Sequence, residues 1–166
     1  MYTVNLDTPL GAMRAFAVDD GLTGLWFADR CPFPAEYGTP ASIQPLFSNI
    51  CEWLNAYFAG QLPSVPILFK TNGTRFQETV WALLQEIPYG KTISYGELAQ
   101  KTAARMNIPR MAAQAVGGAV GRNPLSIIIP CHRVVGKDGS LTGYGGGLER
   151  KSFLLQLEKC EGVAFI

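Results

Sequence analysis

Residues 123–135 read Asn-Pro-Leu-Ser-Ile-Ile-Ile-Pro-Cys-His-Arg-Val-Val, and they contain the only histidine of the chain, directly after a cysteine. The run Ile127-Ile128-Ile129 is β-branched, which predicts a buried strand. Pro130 ends this strand and fixes the backbone just before Cys131. We therefore expect the thiol of Cys131 at the rim of a rigid element, with the imidazole of His132 next in sequence.

A thiol followed by an imidazole is a candidate nucleophile with its base. A free cysteine has a pKa of about 8.5 and becomes a nucleophile when a base or a cation favours the thiolate. Arg133 and Lys151 are near in sequence, and Glu158 could orient the imidazole, as in a carboxylate–imidazole–thiol relay. The Cys-His pair alone favours the plainer interpretation, a buried cysteine beside a hydrogen-bonded histidine. Neighbours on a strand also point to opposite faces, so their contact requires a bend or a bridging water.

The segment that follows is rich in glycine. Residues 142–147 read Thr-Gly-Tyr-Gly-Gly-Gly, and loops of this kind let a backbone approach a flat ligand closely. The spacing matches neither a phosphate-binding loop nor a dinucleotide fingerprint, and a plain turn is the alternative. A helix is predicted over 148–159.

Upstream of residue 123 the pattern is mainly helical. Thr74 is a predicted N-cap of a helix that ends at Pro88-Tyr89-Gly90. The apolar positions of this helix are Phe76, Val80, Trp81, Leu84 and Ile87. Ser94 caps a short helix to about residue 102, and a third helix, rich in small residues, covers about 111–120. Two short helices after a longer one suggest a helix-turn-helix, with a plain helical bundle as the alternative.

The first part of the chain predicts a small sheet and one helix. Apolar stretches separated by turns such as Asp19-Asp20-Gly21 predict an antiparallel meander over Tyr2–Leu6, Met13–Val18 and Leu22–Phe27. A loop over 31–45 then leads to a helix that Gly60 ends. Its apolar stripe consists of Leu46, Ile50, Trp53, Leu54, Tyr57 and Phe58. A connector over 61–74 places the domain boundary near residue 72.

Composition excludes several classes of protein. The 166 residues are 48% hydrophobic and 16% charged, which suffices for a core and excludes wholesale disorder. No apolar run approaches the roughly 20 residues of a membrane span, and the first residues lack the features of a signal peptide. We expect a cytosolic or nuclear protein, in which the four cysteines are thiols. Its cysteines and its histidine are not spaced closely enough to bind a structural zinc ion.

The net charge of +1 hides an asymmetry along the chain. Residues 1–69 hold two basic and six acidic side chains, whereas residues 70–166 hold twelve basic and seven acidic ones. This distribution points to the later part of the chain as the face for a negatively charged partner, with chance clustering as the alternative.

The motif Pro130-Cys131-His132-Arg133-Val134 resembles the active-site motif of the O6-alkylguanine-DNA alkyltransferases, or methylated-DNA–protein-cysteine methyltransferases. The resemblance continues in order and spacing through residues 74–81, 87–99, 115–119, 123–124 and 142–151. It is strong over 74–160 and weak at 8–11 and 57–60. It implies an α+β fold, with an N-terminal ribonuclease-H-like α/β domain over 1–72 and a C-terminal helical domain with a winged helix-turn-helix over 73–166.

The resemblance implies a DNA repair enzyme that acts once. The thiolate of Cys131 would take the alkyl group from O6-alkylguanine in double-stranded DNA, with O4-alkylthymine as a second substrate, and would keep it as a thioether. His132 would accept the thiol proton through a water, and Glu158 would orient the histidine. Tyr95 would donate to the N3 edge of the leaving guanine, and Lys151 would add positive charge. No cofactor or metal is implied, and we expect a cytoplasmic monomer.

The resemblance also implies how DNA is bound. The target nucleotide would be flipped out, because a duplex hides its O6 substituent. The carbonyls of Cys131 and Val134 and the amide of Gly145 would face the guanine, with Tyr144 as a wall and Asn123 holding the turn. The third helix would enter the minor groove, which is only about 6 Å wide; close helix packing is the alternative. The residues expected at the DNA are Arg110, Ala112, Ala113, Gln114, Ala115, Gly117, Arg122 and Arg133.

Two positions depart from the family pattern. Gln114 stands where the best-known members carry an arginine that fills the space of the flipped base, and glutamine brings no charge and less stacking area. Ser126 stands where some members carry a proline that lines the pocket against benzyl groups. Sensitivity to benzylguanine-type inhibitors therefore does not follow from the resemblance.

Two other functions fit parts of the pattern. A non-catalytic, alkyltransferase-like protein would bind lesions for other machinery, but such proteins typically carry a tryptophan where Cys131 stands here. A thiol hydrolase would need an oxyanion site and turnover, and the sequence carries no separate signature for either.

Overall fold

The computed structural model describes residues 1–19, 21–34, 38 and 41–166. The chain divides into two compact units, Met1–Thr71 and Asn72–Ile166. The first combines a three-stranded sheet with a helix, and the second combines four helices with a two-stranded sheet. This arrangement confirms the predicted α+β class.

The first unit contains an antiparallel sheet whose strands follow one another in sequence order. β1 (Tyr2–Leu6), β2 (Met13–Val18) and β3 (Gly21–Phe27) form the predicted meander. Asp20, in the predicted turn between β2 and β3, lies outside the described residues. The predicted connector also pairs with β3: the amide of Leu22 donates to Leu68 at 2.9 Å, and the amide of Lys70 donates to Leu22 at 2.8 Å.

Helix α1 (Gln44–Phe58) buries Phe47, Ile50, Leu54 and Tyr57. The predicted stripe contained the last three of these and missed Phe47. The helix begins inside the predicted loop over 31–45, because proline fits the first turn of a helix, and a 3-10 turn over Ala41–Ile43 precedes it. Residues 35–37, 39 and 40 of that loop lie outside the described residues. Gly60 ends the helix as expected, with a φ of 78°.

Three helices of the second unit pack against one another and position the site. They are α2 (Arg75–Gln85), α3 (Tyr95–Met106) and α4 (Ala113–Gly121). Both predicted N-caps are confirmed, since Thr74 and Ser94 each form a capping box with the residue three positions later. α3 continues beyond the predicted end near residue 102 and stops at Asn107, whose φ of 55° is left-handed. α4 begins two residues later than predicted.

The isoleucine run before Cys131 buries Ile127 and Ile129 but is not a strand, so the strand prediction is wrong. Ile127 has a φ of 72°, and the amide of Ile129 donates to Leu125 at 2.9 Å, which makes a tight turn. The side chain of Asn123 closes this turn by donating to the Ile129 carbonyl at 2.7 Å and accepting from the Leu125 amide at 2.9 Å. Local hydrogen bonds from an asparagine thus override the strand preference of β-branched residues.

After this turn the chain returns to regular structure. Cys131–Arg133 form one turn of 3-10 helix, and β5 (Val134–Val135) pairs in parallel with β4 (Ile93–Ser94). This pairing holds the first residue of α3, Tyr95, close to the segment that carries Cys131. α5 (Leu148–Leu157) follows the glycine-rich loop and ends before the predicted limit at 159. Within the described ranges no helix has the length and apolarity needed to span a bilayer.

Candidate active site

A pocket of about 590 Å³ opens in the second unit, within the roughly 300–1,000 Å³ common for sites that bind small molecules. Its walls come from the start of α3, one face of α4, the glycine-rich loop and Cys131. The lining residues are Tyr95, Ala113, Gln114, Gly117, Val120, Gly121, Cys131, Thr142, Gly143, Tyr144 and Gly145. The pocket is therefore large enough for one planar base.

The thiol of Cys131 lines this pocket, although the residue is only 6% exposed. Burial raises the pKa of the thiol above its ordinary value, while a hydrogen bond from Asn123 and the charge of Lys151 offset part of the rise. At neutral pH the resting residue is therefore a thiol, and it needs a base before it can act as a nucleophile.

His132, which follows the cysteine in sequence, forms a buried hydrogen-bonded pair with Glu158. His132 Nε2 lies 2.7 Å from Glu158 Oε1, and both side chains are fully buried. Burial lowers the pKa of His132, so the imidazole is neutral. Burial alone would raise the pKa of Glu158, but the hydrogen bonds from His132 and Arg133 bring it down to about 2. Nε2 therefore carries the proton donated to the carboxylate, and Nδ1 is the basic nitrogen.

Arg133 completes the environment of this carboxylate. Its Nε donates to Glu158 Oε2 at 2.9 Å and its Nη2 to Oε1 at 3.0 Å, while Nη1 donates to the carbonyl of Ile87 at 2.6 Å. The amide of Gly90 adds a fourth hydrogen bond to Glu158, at 3.2 Å. The structure thus places the Arg133 guanidinium at the His132–Glu158 pair, whereas the resemblance had grouped it with the exposed residues of α4 as a DNA contact.

Lys151 joins the cysteine segment to the glycine-rich loop. Its ammonium is buried and donates to the carbonyls of Val134 at 2.5 Å and Gly143 at 3.0 Å. It lies 5.8 Å from the centre of the Tyr95 ring. Burial lowers the pKa of Lys151 to about 8, and the nearby Cys131 partly offsets this effect. Lys151 is therefore a fixed source of positive charge beside the pocket near neutral pH.

Two tyrosine hydroxyls border the pocket as neutral donors. Tyr95 donates to the carbonyl of Thr142 at 2.7 Å, and burial raises its pKa. The hydroxyl of Tyr144 is buried and has no hydrogen-bond partner among the described residues. Burial and the neighbouring Cys131 raise the pKa of Tyr144 well above its ordinary value. Both hydroxyls therefore keep their protons at neutral pH.

Helix α4 presents a face of small side chains to solvent. Ala112, Ala113, Gln114 and Ala115 are exposed at its start, and Arg110 and Arg122 are exposed beside its two ends. The opposite face buries Val116, Ala119 and Val120, and Trp81 Nε1 donates to the carbonyl of Ala119 at 2.9 Å. The small residues are therefore not explained by close helix packing alone.

The structure gathers the predicted site residues into three groups. Tyr95, Ala113, Gln114, Gly117, Cys131, Tyr144 and Gly145 line the pocket. Around the cysteine segment, outside the lining, are Asn123, His132, Arg133, Val134, Lys151 and Glu158. Arg110, Ala112, Ala115 and Arg122 lie at the surface of α4 and its flanks. Ser126 is buried and is not among the residues lining this pocket.

Sequence reasoning missed four lining residues and two backbone partners. Gly121 continues the four-residue spacing of Ala113 and Gly117, which could have indicated it. Thr142 and Gly143 precede Tyr144 in the glycine-rich loop, and Val120 completes the α4 wall. Nothing in the sequence pattern indicated that Ile87 and Gly90 would bond to the Arg133–Glu158 pair. Among the described residues, no group of three His, Cys, Asp or Glu side chains could hold a metal ion.

By fold and site, the chain is an α+β protein with a buried cysteine in a ligand-sized pocket. The family described as "6-O-methylguanine DNA methyltransferase, DNA binding domain" matches residues 75–160. A methylated-DNA–protein-cysteine methyltransferase from Mycolicibacterium paratuberculosis is 45% identical over 154 residues, covering 93% of this chain and 90% of the relative. The enzyme of the same name from Haemophilus influenzae is 42% identical, covering 96% and 87%.

Solved structures agree with this similarity. The crystal structure of Mycobacterium tuberculosis OGT in complex with DNA is 41% identical and has a TM-score of 0.83, covering 99% of this chain and 96% of that one. The O6-methylguanine-DNA methyltransferase of Pyrococcus kodakaraensis is 27% identical with a TM-score of 0.56, covering 95% and 98%. The chain therefore belongs to the methylated-DNA–protein-cysteine methyltransferase family, which confirms the resemblance found in its sequence.

Proposed function

We propose that this protein repairs double-stranded DNA by moving the alkyl group of O6-alkylguanine onto Cys131, once and irreversibly. The observation that carries the proposal is the position of the Cys131 thiol in the pocket wall, with the hydrogen-bonded His132–Glu158 pair beginning at the next residue. Membership of the methyltransferase family supports the substrate class. O4-alkylthymine is a second substrate of the same chemistry.

The chemical step is a displacement at the alkyl carbon. His132 Nδ1 takes the thiol proton through a water. Nε2–H keeps its hydrogen bond to the Glu158 carboxylate, whose negative charge stabilises the imidazolium that forms. The sulfur attacks the alkyl carbon, the carbon–O6 bond breaks, and its electron pair leaves with the guanine. The products are a thioether at Cys131 and a guanine that takes up a proton. No group in the site reverses a thioether, so each molecule acts once.

Tyr95 and Lys151 support the leaving group and the thiolate. Tyr95 donates to the N3 edge of guanine as negative charge develops there, which requires its hydroxyl to leave the Thr142 carbonyl it contacts now. The charge of Lys151 favours the thiolate of Cys131. By holding the Val134 carbonyl, Lys151 also fixes an acceptor that faces the base together with the Cys131 carbonyl and the Gly145 amide.

DNA binding uses the exposed face of α4. Its small side chains let the helix approach the floor of the minor groove, and the target nucleotide is flipped into the pocket. Gln114, which lines the pocket, takes the place of the flipped base. Arg110 and Arg122 are exposed and contact phosphates. The protein acts in this way as a cytoplasmic monomer without a cofactor.

The test is to incubate the protein with duplex DNA carrying a labelled methyl group on guanine O6. We expect one label per protein molecule, located on the Cys131 peptide by mass spectrometry, and none in a Cys131→Ser variant. Cys51→Ser removes an exposed thiol and should transfer normally. Repeated release of free label would indicate a hydrolase, and label that stays on bound DNA would indicate a lesion-binding protein; either result contradicts the proposal.

A further inference from the structure

The guanidinium of Arg133 is held in one orientation by three residues on two segments of the second unit. It forms a two-pronged hydrogen bond with Glu158 at the end of α5, at 2.9 and 3.0 Å. Its third nitrogen donates to the carbonyl of Ile87, after α2, at 2.6 Å. The ring of Tyr89 lies 5.8 Å from the guanidinium carbon. With 11% of its side chain exposed, Arg133 is part of the buried frame of the site.

Both oxygens of the Glu158 carboxylate accept hydrogen bonds from Arg133, and one of them also accepts from His132. Oε1 accepts from both His132 at 2.7 Å and Arg133 at 3.0 Å, and Oε2 accepts from Arg133 at 2.9 Å and the amide of Gly90 at 3.2 Å. A rotation of the carboxylate that released His132 would break both prongs of the arginine. A planar guanidinium fixes a carboxylate in this way, and a lysine ammonium cannot.

We propose that Arg133 is a positioning residue for alkyl transfer: it clamps the Glu158 carboxylate, and thereby holds His132 in the orientation and charge state in which it deprotonates Cys131. The inference rests on the proposed function and assigns to Arg133 a role inside the site. It acts through Glu158 and His132 and does not touch the alkyl group or the base.

Arg133 affects His132 through its positive charge as well as through its planar geometry. Burial is the main cause of the low pKa of His132, and the charges of Arg133 and Lys151 lower it further, against the opposite effect of Glu158. Loss of the guanidinium therefore makes His132 easier to protonate. Other titratable groups facing this cluster are Tyr89, Cys131, Tyr144 and Cys160.

The experiment measures the rate of methyl transfer from O6-methylguanine duplex DNA against pH, under single-turnover conditions. We expect Arg133→Gln to slow transfer about tenfold to a hundredfold, part of what a positioned base contributes, and to move the acid limb of the profile to higher pH. Arg133→Lys keeps the positive charge but cannot form the two-pronged hydrogen bond. Its methyl transfer should therefore be slow, with a nearly normal acid limb. A purely structural role would scale the rate at every pH and leave the limb in place.

A second readout does not depend on DNA. Alkylation of Cys131 by iodoacetamide, followed by mass spectrometry against pH, should show the same displacement of the acid limb in Arg133→Gln. Arg105→Gln is the matched control, because Arg105 also forms a forked pair with a glutamate, Glu86, but on the surface. If Arg133→Gln does not fold, Arg133→Lys carries the test: slow transfer with an unchanged free energy of unfolding in urea supports the positioning role, and a wild-type transfer rate, or a rate loss matched by a loss of stability, contradicts it.

Failure of the inference and of the proposed function are distinguishable. If the wild-type protein transfers methyl groups but Arg133→Gln keeps its rate and acid limb, or Arg105→Gln changes them equally, the positioning role is wrong. If the wild-type protein transfers no methyl group while the iodoacetamide profile still shifts in Arg133→Gln, the proposed function fails and the role of Arg133 stands.

Discussion

At the scale of single residues, the carboxylate of Glu158 links the chemistry of the site to the stability of the fold. It is ionised although buried, because four hydrogen bonds from His132, Arg133 and Gly90 satisfy its oxygens. Its pKa falls from an ordinary 4.5 to about 2 in the folded protein. The unfolded chain therefore binds a proton that the folded chain does not, and stability is lost as pH falls from 4.5 towards 2.

The first prediction follows from this difference. Between pH 5 and about pH 2 the free energy of unfolding should fall by roughly 3 kcal/mol on account of Glu158, at about 1.4 kcal/mol for each tenfold change in proton affinity. Glu158→Gln should be less stable at neutral pH and should lack this part of the pH dependence. Urea unfolding across that pH range measures both. A variant that keeps the wild-type acid slope would show that Glu158 is not held ionised by its partners.

A second prediction concerns Gln114, which lines the pocket and is exposed at the start of α4. If it takes the place of the flipped base, Gln114→Ala should slow repair of duplex DNA about tenfold, as expected for one lost hydrogen bond of about 1–1.5 kcal/mol. The reaction with free O6-alkylguanine base should change little, since no base is flipped. Single-turnover rates measure both reactions. Equal slowing on both substrates would show that Gln114 does not take the place of the flipped base.

At the scale of elements, local signals located the helices better than they located the turn before the cysteine. Thr74 and Ser94 cap α2 and α3 through bonds within four residues, so the sequence was enough to find them. The run 127–129 was misread because its conformation depends on Asn123, whose side chain bonds across the turn. Propensity carries no information about such a bond, and an asparagine before a proline was the only signal.

Helix α4 contains glycines, which lower the stability of a helix, and this leads to a third prediction. A methyl group added at Gly118 meets nothing within 4 Å, so Gly118→Ala should stabilise the protein by about 0.5–1 kcal/mol in urea unfolding. Gly139→Ala is the contrasting variant, because its φ of 82° is left-handed and its new methyl group would collide with the carbonyl of Gly162. A loss of stability in Gly118→Ala would mean that α4 is packed more tightly there.

At the scale of the whole molecule, the pocket joins segments that no local pattern connects. Tyr95 bonds to Thr142, 47 positions later, and His132 bonds to Glu158, 26 positions later. The residue types at these positions followed from the family resemblance, whereas their contacts depend on the β4–β5 pairing and the docking of α5. Arg133 shows the limit most clearly: its sequence position put it near Cys131 and the resemblance implied DNA contact, whereas only the fold revealed its bonds to Glu158 and Ile87.

The uneven charge of the chain leads to the last prediction. Residues 70–166 hold twelve basic and seven acidic side chains, and Arg110 and Arg122 are exposed on either side of α4. Binding to duplex DNA should therefore weaken with salt, and Arg110→Gln or Arg122→Gln should each lower the slope of log affinity against log salt by about 1. Arg30→Gln removes an exposed arginine of the first unit and should leave the slope unchanged. Fluorescence anisotropy with a labelled duplex measures these slopes, and a slope that responds equally to all three substitutions would contradict a DNA face centred on α4.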